Sequence, residues 1–171
     1  MADSAVPSLY KATITLNRSQ RLKLYLKDYA DRENKHPPEF ILTAIPNRPP
    51  SVRMNFPSRD VEVSPLEELQ LTARVSDDFR LVRYGIRYQV GGAEETEVVL
   101  GKSGAPSEKI TASHLLAFED LNAEPDQLLS YYAFAEDRYF DQSRRVTTQL
   151  RFIDVRPVKR SFEVTEASGG T

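Results

Sequence analysis

The chain has 171 residues, a net charge of −2, and hydrophobic and charged fractions of 40% and 28%, the composition of an ordinary folded protein. This charge gives no electrostatic reason to expect nucleic acid or an anionic membrane as a partner, and no apolar run is long enough to cross a bilayer. The absence of cysteine excludes disulfides, thiolate nucleophiles and cysteine-based zinc sites. The N-terminal residues do not have the pattern of a signal peptide, so we expect no targeting segment in this chain.

The first 46 residues predict three β-strands. Apolar and polar residues alternate in YKATITL, RLKLYLKD and PEFILTAI, which is typical of half-buried strands. Three strands are too few for a two-layered fold, so we interpret residues 1–46 as the closing strands of an incomplete domain. A piece of this size is marginal unless something packs against its apolar face. The complete domain of this chain or the same face of a second molecule could cover it, and we expect the second, a homodimer through residues 10–45.

The loop that follows RLKLYLKD has three carboxylates within six positions, at Asp28, Asp31 and Glu33. Calcium is bound by about six to eight oxygen ligands, for which clustered carboxylates are a usual source. The segment DYADRE also resembles the Asp-Arg-Glu motif of cadherin repeats, but the PNRPP that follows carries no acid. We predict a charged hairpin loop here and keep a calcium site as the alternative.

Residues 47–50 predict a stiff Pro-rich linker, and residues 51–157 predict a complete domain. Seven or eight short alternating runs lie in this second segment, with turn residues between them. That many strands in about 100 residues is typical of an immunoglobulin-like β-sandwich. Residues 158–171 predict a frayed C-terminal tail.

Two of these runs show the alternation most clearly. In LQLTARV, Leu71, Ala73 and Val75 fall on one face of the predicted strand. In LVRYGIRYQV, Val82 and Ile86 fall on one face in the same way. We expect these faces to point into the core.

Asp77 and Asp78 lie between the two runs. Adjacent acids at such a place can ligate a cation, or they can close an Asx turn, in which a carboxylate oxygen accepts backbone N–H groups. The pattern favours the turn, and calcium is again the alternative.

The chain carries an internal repeat. Leu22–Asp28, a polar loop, EFILTAI and Pro46 parallel Tyr131–Asp137, a polar loop, QLRFIDV and Pro157. Aligned on the two aspartates, the copies differ by two residues of loop length. We interpret each copy as the last hairpin of a sandwich domain, which the chain leaves through a proline.

Residues 52–157 resemble the immunoglobulin-like repeats of large membrane-anchored bacterial envelope proteins of unknown function. The shared features are an Asp-Asp turn followed by a leucine, and a Tyr-rich strand that ends in an acid before a polar loop and a proline. These places are occupied by Asp77, Asp78, Leu81, Tyr131, Tyr132, Asp137 and Pro157. The resemblance implies an extracytoplasmic module, in the periplasm or cell envelope, whose partners are other domains of a longer chain. It implies membrane attachment only through segments outside this chain, and no known chemistry.

The sequence lacks the usual parts of a catalytic site. His36 and His114 are the two histidines, and no zinc-protease motif, nucleophile elbow or histidine pair is present. We therefore expect no catalytic residue, no metal and no cofactor, and we predict a non-catalytic structural or interaction module of a larger bacterial envelope protein. Two alternatives stay open: a carbohydrate- or polymer-binding accessory domain of a larger enzyme, and a calcium-stiffened cadherin-like adhesion repeat.

Positive charge is concentrated towards the C-terminal end, at Arg144, Arg145, Arg151, Arg156, Lys159 and Arg160. An acidic partner or a polysaccharide would bind such a group of cations. The pattern favours a solvated edge strand whose charges discourage sheet-to-sheet aggregation.

Overall fold

Every regular element in residues 10–158, the part of the chain that the computed structural model describes, is a β-strand. The predicted all-β class is therefore confirmed. No helix in this part of the chain is long and apolar enough to cross a membrane. The chain divides into two compact units, one that ends at Pro46 and one that begins at Asn47. Nearly all of the predicted tail lies outside the described residues.

The described part of the first unit contains two antiparallel strands, β1 (Gln20–Lys23) and β2 (Glu39–Leu42). The third predicted strand, YKATITL, is not formed, since residues 11–16 lie outside any strand. Alternation shows what a segment can bury, but a strand forms only along a partner that completes its backbone hydrogen bonds. Ile14 and Leu16 accordingly stay 51% and 38% exposed.

The second unit contains nine strands between Ser51 and Val155. They are β3 (Ser51–Phe56), β4 (Val61–Val63), β5 (Glu68–Ser76), β6 (Leu81–Val90), β7 (Thr96–Gly101), β8 (Ile110–Ala117), β9 (Leu128–Tyr139), β10 (Gln142–Thr147) and β11 (Arg151–Val155). The sequence predicts seven or eight, and the difference arises because the final run, RVTTQLRFIDV, is broken in two. At the break the Thr148 hydroxyl, rather than a backbone carbonyl, accepts the Ala133 N–H.

The nine strands form two sheets. The larger sheet has the order β4-β11-β9-β6-β7, and β10 also pairs with β9. The smaller sheet has the order β3-β5-β8. The strand β4 runs parallel to β11, and the other pairs in these two sheets are antiparallel. The long strand β9 is therefore central, with β6 on one side and with β11 and β10 in succession along the other.

Side chains from both sheets form the main core cluster. Its buried members are Met54, Val63, Leu71, Ala73, Ile86, Leu116, Phe118, Ala123, Leu129, Tyr131, Ala133, Ile153 and Val155. The residues predicted inward on β5 are buried, and so is Ile86 on β6. Burying a large apolar side chain stabilises a fold by on the order of 1.5–3 kcal/mol, so these inward faces are a main source of stability.

One residue predicted to lie in the core points outward. The alternation predicts that Val82 and Ile86 both point into the core. Val82 is instead 42% exposed, and its neighbour Leu81 is buried. A β-bulge between Leu81 and Arg83 shifts the alternation at this end of β6. A bulge adds one residue to a strand and changes the face to which a side chain points. The alternation of apolar and polar residues does not predict where a bulge occurs.

Candidate functional site

The three predicted carboxylates of the first unit are each paired with a cation of the same loop. Asp28 accepts two backbone N–H groups, at 2.9 and 3.0 Å, and the Arg32 guanidinium lies 2.7 Å from its Oδ2. The hydrogen bonds from Arg32, first from its backbone and then from its side chain, lower the pKa of Asp28. Asp31 and Glu33 instead approach the Nζ of Lys27, at 3.4 and 3.1 Å. The geometry is that of a charged hairpin loop whose own cations neutralise its acids.

Asp77 closes the turn between β5 and β6. The residue is buried, and its Oδ2 accepts the N–H groups of Phe79 and Arg80 at 3.0 and 2.6 Å, which is the predicted Asx geometry. The Asp77 carbonyl also accepts the Ser107 N–H at 2.7 Å, which ties the turn to the connection between β7 and β8. Among the described residues, no group of three or more acidic, histidine or cysteine side chains is placed to hold a metal ion.

A buried ion pair lies at the end of β9. Asp137 is 0% exposed, and its two carboxylate oxygens accept from Nε and Nη2 of Arg144 on β10, the first at 3.0 Å. A bidentate pair of this kind fixes both side chains in orientation. The hydrogen bond to Asp137 raises the pKa of Arg144 against the effect of burial, and the charge of Asp77 adds to the rise. The guanidinium is therefore held within the field of two buried carboxylates.

The same guanidinium holds the residues at the start of the second unit. Nη2 of Arg144 donates to Asn47 Oδ1 at 2.9 Å and to the Arg48 carbonyl at 2.7 Å. Asn47 Nδ2 donates to the Arg138 carbonyl at 3.1 Å, and the Arg48 N–H donates to Asp78 Oδ2 at 3.2 Å. We call this group the junction clamp, and its members are Asn47, Arg48, Asp78, Asp137 and Arg144.

The clamp makes the start of the predicted linker an ordered part of the second unit. Residues 47–50 begin with two hydrogen-bonded residues of the second unit and end with a buried Pro50. The sequence singles out Asp78 as a turn residue, Asp137 through the repeat and Arg144 as one of the C-terminal cations, but it does not bring the three into one group. The one signal in the sequence is an arginine seven positions after a strand-ending aspartate, and that spacing is too general to identify a clamp.

The outer face of the large sheet carries a layer of paired charges. Arg83 and Arg145 each form ion pairs with both Glu97 and Glu136. The Arg83 guanidinium lies 3.0 Å from the Glu97 carboxylate and 2.6 Å from that of Glu136. Phe134 lies beneath them with 0% exposure, and the guanidinium carbons of Arg145 and Arg83 are 4.2 and 6.0 Å from its ring centre. The hydrogen bond from Arg145 is the main cause that lowers the pKa of Glu97. Cations over an aromatic face attract the ring and also exclude water from it, so the layer is structural.

These pairs correct the prediction for the C-terminal cations. Arg144 and Arg145 lie on a strand that pairs on one side only, but both are partly buried and bonded to carboxylates rather than solvated. Lys159 and Arg160 lie outside the described residues.

Two aromatic side chains are exposed at the turn between β9 and β10. Tyr139 is 44% exposed and Phe140 is 80% exposed. Their ring centres are 4.7 Å apart and their planes meet at 75°, an edge-to-face arrangement. Rings at this angle do not form a flat platform on which a sugar could stack. The pair therefore does not favour the carbohydrate-binding alternative.

The junction clamp is built for holding rather than for chemistry. The carboxylates of Asp78 and Asp137 already accept hydrogen bonds from the chain, and the Arg144 guanidinium already donates to three residues. A general acid or base needs a lone pair or proton that a substrate can reach.

Neither a protein-family model nor a curated protein matches the sequence.

Proposed function

We propose that residues 51–157 are an immunoglobulin-like β-sandwich that serves as a non-catalytic structural or interaction module of a larger bacterial envelope protein. The junction clamp carries this proposal, because the Arg144 guanidinium, which the fully buried Asp137 holds in place, fixes Asn47 and Arg48 at the start of the unit. A module that connects and positions domains needs its entry segment held. A catalytic site instead keeps a charged group that can exchange a proton with a substrate.

The strand order supports the sandwich. In immunoglobulin-like domains strands B and E share one sheet, and strands C and F share the other with G beside F. Here β5 and β8 lie in one sheet, while β6 and β9 lie in the other with β10 and β11 beside β9. The first strand is divided between the sheets, because β3 pairs with β5 and β4 pairs with β11.

The registers of two hairpins support a repeat. Gln20 lies opposite Leu42 in the first unit, and Leu129 lies opposite Ile153 in the second. In each copy an aspartate follows eight residues after the first partner, and a proline follows four residues after the second. The hairpin pairing therefore matches the alignment of the two sequence copies, as a partial repeat in front of a complete one would require.

The proposal places the module in the periplasm or cell envelope, with other domains of a longer chain as its partners. Any membrane attachment then comes from segments outside this chain. We further propose the homodimer through residues 10–45, since Leu24, Phe40 and Ile41 are 45%, 51% and 70% exposed there. Exposed apolar surface of this kind is typical of an interaction face.

Protease accessibility in the source cells tests the location. A tagged full-length protein should be cut by added protease once the outer barrier is permeabilised, while a cytoplasmic marker stays intact. Cutting only after complete lysis would contradict an envelope module.

An activity screen tests the non-catalytic part. The purified chain should leave ester, phosphate and glycoside substrates unchanged. Turnover that Asp78→Ala removes without lowering the melting temperature would show that the clamp is a catalytic site.

A further inference from the structure

A pocket of about 410 Å³ opens beside the bulge of β6. It lies at the end of β9, because the start of β6 pairs with Asp137. Its main lining residues are the cations Arg80, Lys102 and Arg138 and the apolar side chains Phe79, Leu81 and Val82. None of the lining side chains in residues 10–158 is acidic.

The three cations have no carboxylate partner within the described residues. Arg80 donates to the Ser103 hydroxyl at 3.4 Å, and neither Lys102 nor Arg138 forms an ion pair. Arg83, which lies on β6 three residues after Arg80, is by contrast bonded to two acids. Like charges around one concavity raise its positive potential, so an anion would be attracted there.

The apolar side chains of the pocket indicate which class of anion would fit it. The bulge turns Val82 out of the core towards the cations, and Phe79 is 40% exposed beside it. An inorganic anion or a sugar acid would leave these two side chains in water. An acidic peptide segment with an aliphatic residue would cover them and meet the cations at once.

Such a segment is present on the same unit, in the connection between β8 and β9. Its exposed acids are Glu119, Asp120, Glu124 and Asp126. Leu128, which is 48% exposed, follows them as the first residue of β9. None of the four acids has an ion-pair partner among the described residues. The connection precedes β9, whereas the pocket lies at the far end of this 12-residue strand, a separation on the order of 40 Å. The loop therefore cannot reach the pocket of its own unit.

We propose that the pocket binds the β8–β9 loop of a second copy, head to tail. This inference rests on the proposed function, since it assigns the partner-binding surface of an interaction module. Each copy then offers one cationic and one acidic end, a heterologous contact that can extend from molecule to molecule. The contact joins exposed charges and should weaken as salt is added.

A charge exchange in the full chain tests the contact. One variant, Arg80→Glu with Arg138→Glu, reverses the pocket, and another, Glu119→Lys with Glu124→Lys, reverses the loop. In sedimentation velocity at low salt, each variant alone should form assemblies larger than the dimer through residues 10–45 at least about tenfold more weakly than the wild type. An equal mixture should associate again, because the unaltered loop of the first variant complements the unaltered pocket of the second.

The control variant, Arg59→Glu with Arg74→Glu, makes the same change of charge on exposed residues away from the pocket. It should associate like the wild type. A wild type that grows no larger than a dimer at millimolar concentration and low salt would overturn the contact. Assemblies larger than a dimer that both reversed variants retain would also overturn it. Neither result bears on the junction clamp or on the cellular location. Those two parts of the proposed function are tested by separate experiments.

A second measurement uses the unaltered protein. A synthetic peptide of residues 118–128, titrated into the isotope-labelled chain, should shift the amide resonances of Arg80, Val82, Lys102 and Arg138. Absence of a shift at millimolar peptide, or shifts confined to other strands, would overturn the pocket. Polygalacturonate that shifts these resonances as strongly as the peptide would assign the pocket to an anionic polysaccharide instead.

Discussion

The two Asp–Arg hairpins use the same pair of residues in different surroundings. Asp28 and Arg32 meet in a loop, where the aspartate side chain is 35% exposed, whereas the side chain of Asp137 is 1% exposed beside Arg144. An exposed pair is solvated and screened, so it adds little to stability. A buried charge that loses its partner has neither water nor a counter-ion. Burial, rather than the choice of residues, decides how much the fold depends on the pair.

The largest expected effect comes from Arg144→Met. This change leaves the Asp137 carboxylate buried and unpaired, which costs about 3–5 kcal/mol. Urea and thermal unfolding followed by circular dichroism should show the loss. The matched change in the first unit, Arg32→Met, should leave the unfolding transition of the second unit where it is.

A double variant sharpens this comparison. Asp137→Leu combined with Arg144→Met removes both charges and should recover much of the lost stability, because apolar residues can replace a buried pair. An Arg144→Met protein that unfolds no earlier than Arg32→Met would mean that the buried pair is not needed.

Two phenylalanines extend the comparison to apolar side chains. Phe134→Ala should destabilise the second unit by about 3 kcal/mol, since the ring is fully buried between the sheet and its layer of arginines. Phe40 is 51% exposed, and Phe40→Ala should change the stability of the monomer by less than about 0.5 kcal/mol. Denaturant titrations at low protein concentration measure both. Equal losses would show that the first unit has a core of its own.

His114 should make the second unit sensitive to acid. His114 faces Tyr88 with ring centres 6.1 Å apart, and burial lowers its pKa below 6.5. The unfolded chain then binds a proton more readily than the folded one, so stability should fall as the pH drops below about 6.5. His114→Gln should remove this fall, and the same change at the exposed His36 should not. Melting temperatures of the wild type and the two variants, measured between pH 7.5 and 5, test this prediction.

The acid response of the carboxylates falls in a lower range. Burial raises the pKa of Glu136, but the bonds from Arg83 and Arg145 more than offset this, and the pKa stays below 4.5. Its stabilising contribution is complete above about 4.5 and is lost only as the pH falls further. A fall in stability between pH 6.5 and 5 that persists in His114→Gln would therefore need another cause.

Asp28→Ala should have a local effect. The amide protons of Ala30 and Arg32 lose their acceptor and should exchange faster with solvent. The melting temperature of the second unit should not change. Exchange rates that stay the same at both amides would show that the loop does not need its Asx bonds.

Calcium should have the smallest effect, and the expected change is none. The acids of the loop are paired with Lys27 and Arg32, and Asp137 is paired with Arg144. A ligand that binds the folded state must raise its melting temperature. Melts in millimolar calcium and in EDTA should coincide, and a rise of several degrees in calcium would revive the adhesion-repeat alternative.

Sequence periodicity predicted what depends on neighbours along the chain. Leu71, Ala73 and Val75 are buried as their alternation indicates, and Asp77 forms the turn that its position favours. Both results follow from local rules, the pleat of a strand and the short reach of an aspartate side chain.

The misses all depend on partners distant in sequence. The segment YKATITL has the alternation of a strand, but residues 11–16 lie outside any strand, and the bulge that exposes Val82 is a property of the pairing with β9. The clamp joins Asn47 to Arg144 across 97 positions. No local pattern specifies such a contact.

The motion of Asn47 and Arg48 tests the central claim, that the second unit holds its entry segment through the junction clamp. Nitrogen-15 relaxation on the full chain gives order parameters for these two backbone amides. The clamp predicts values of about 0.85, as in the neighbouring strands, and a clear decrease in Arg144→Met. Values below about 0.6 in the wild type would show a flexible linker and would contradict the clamp.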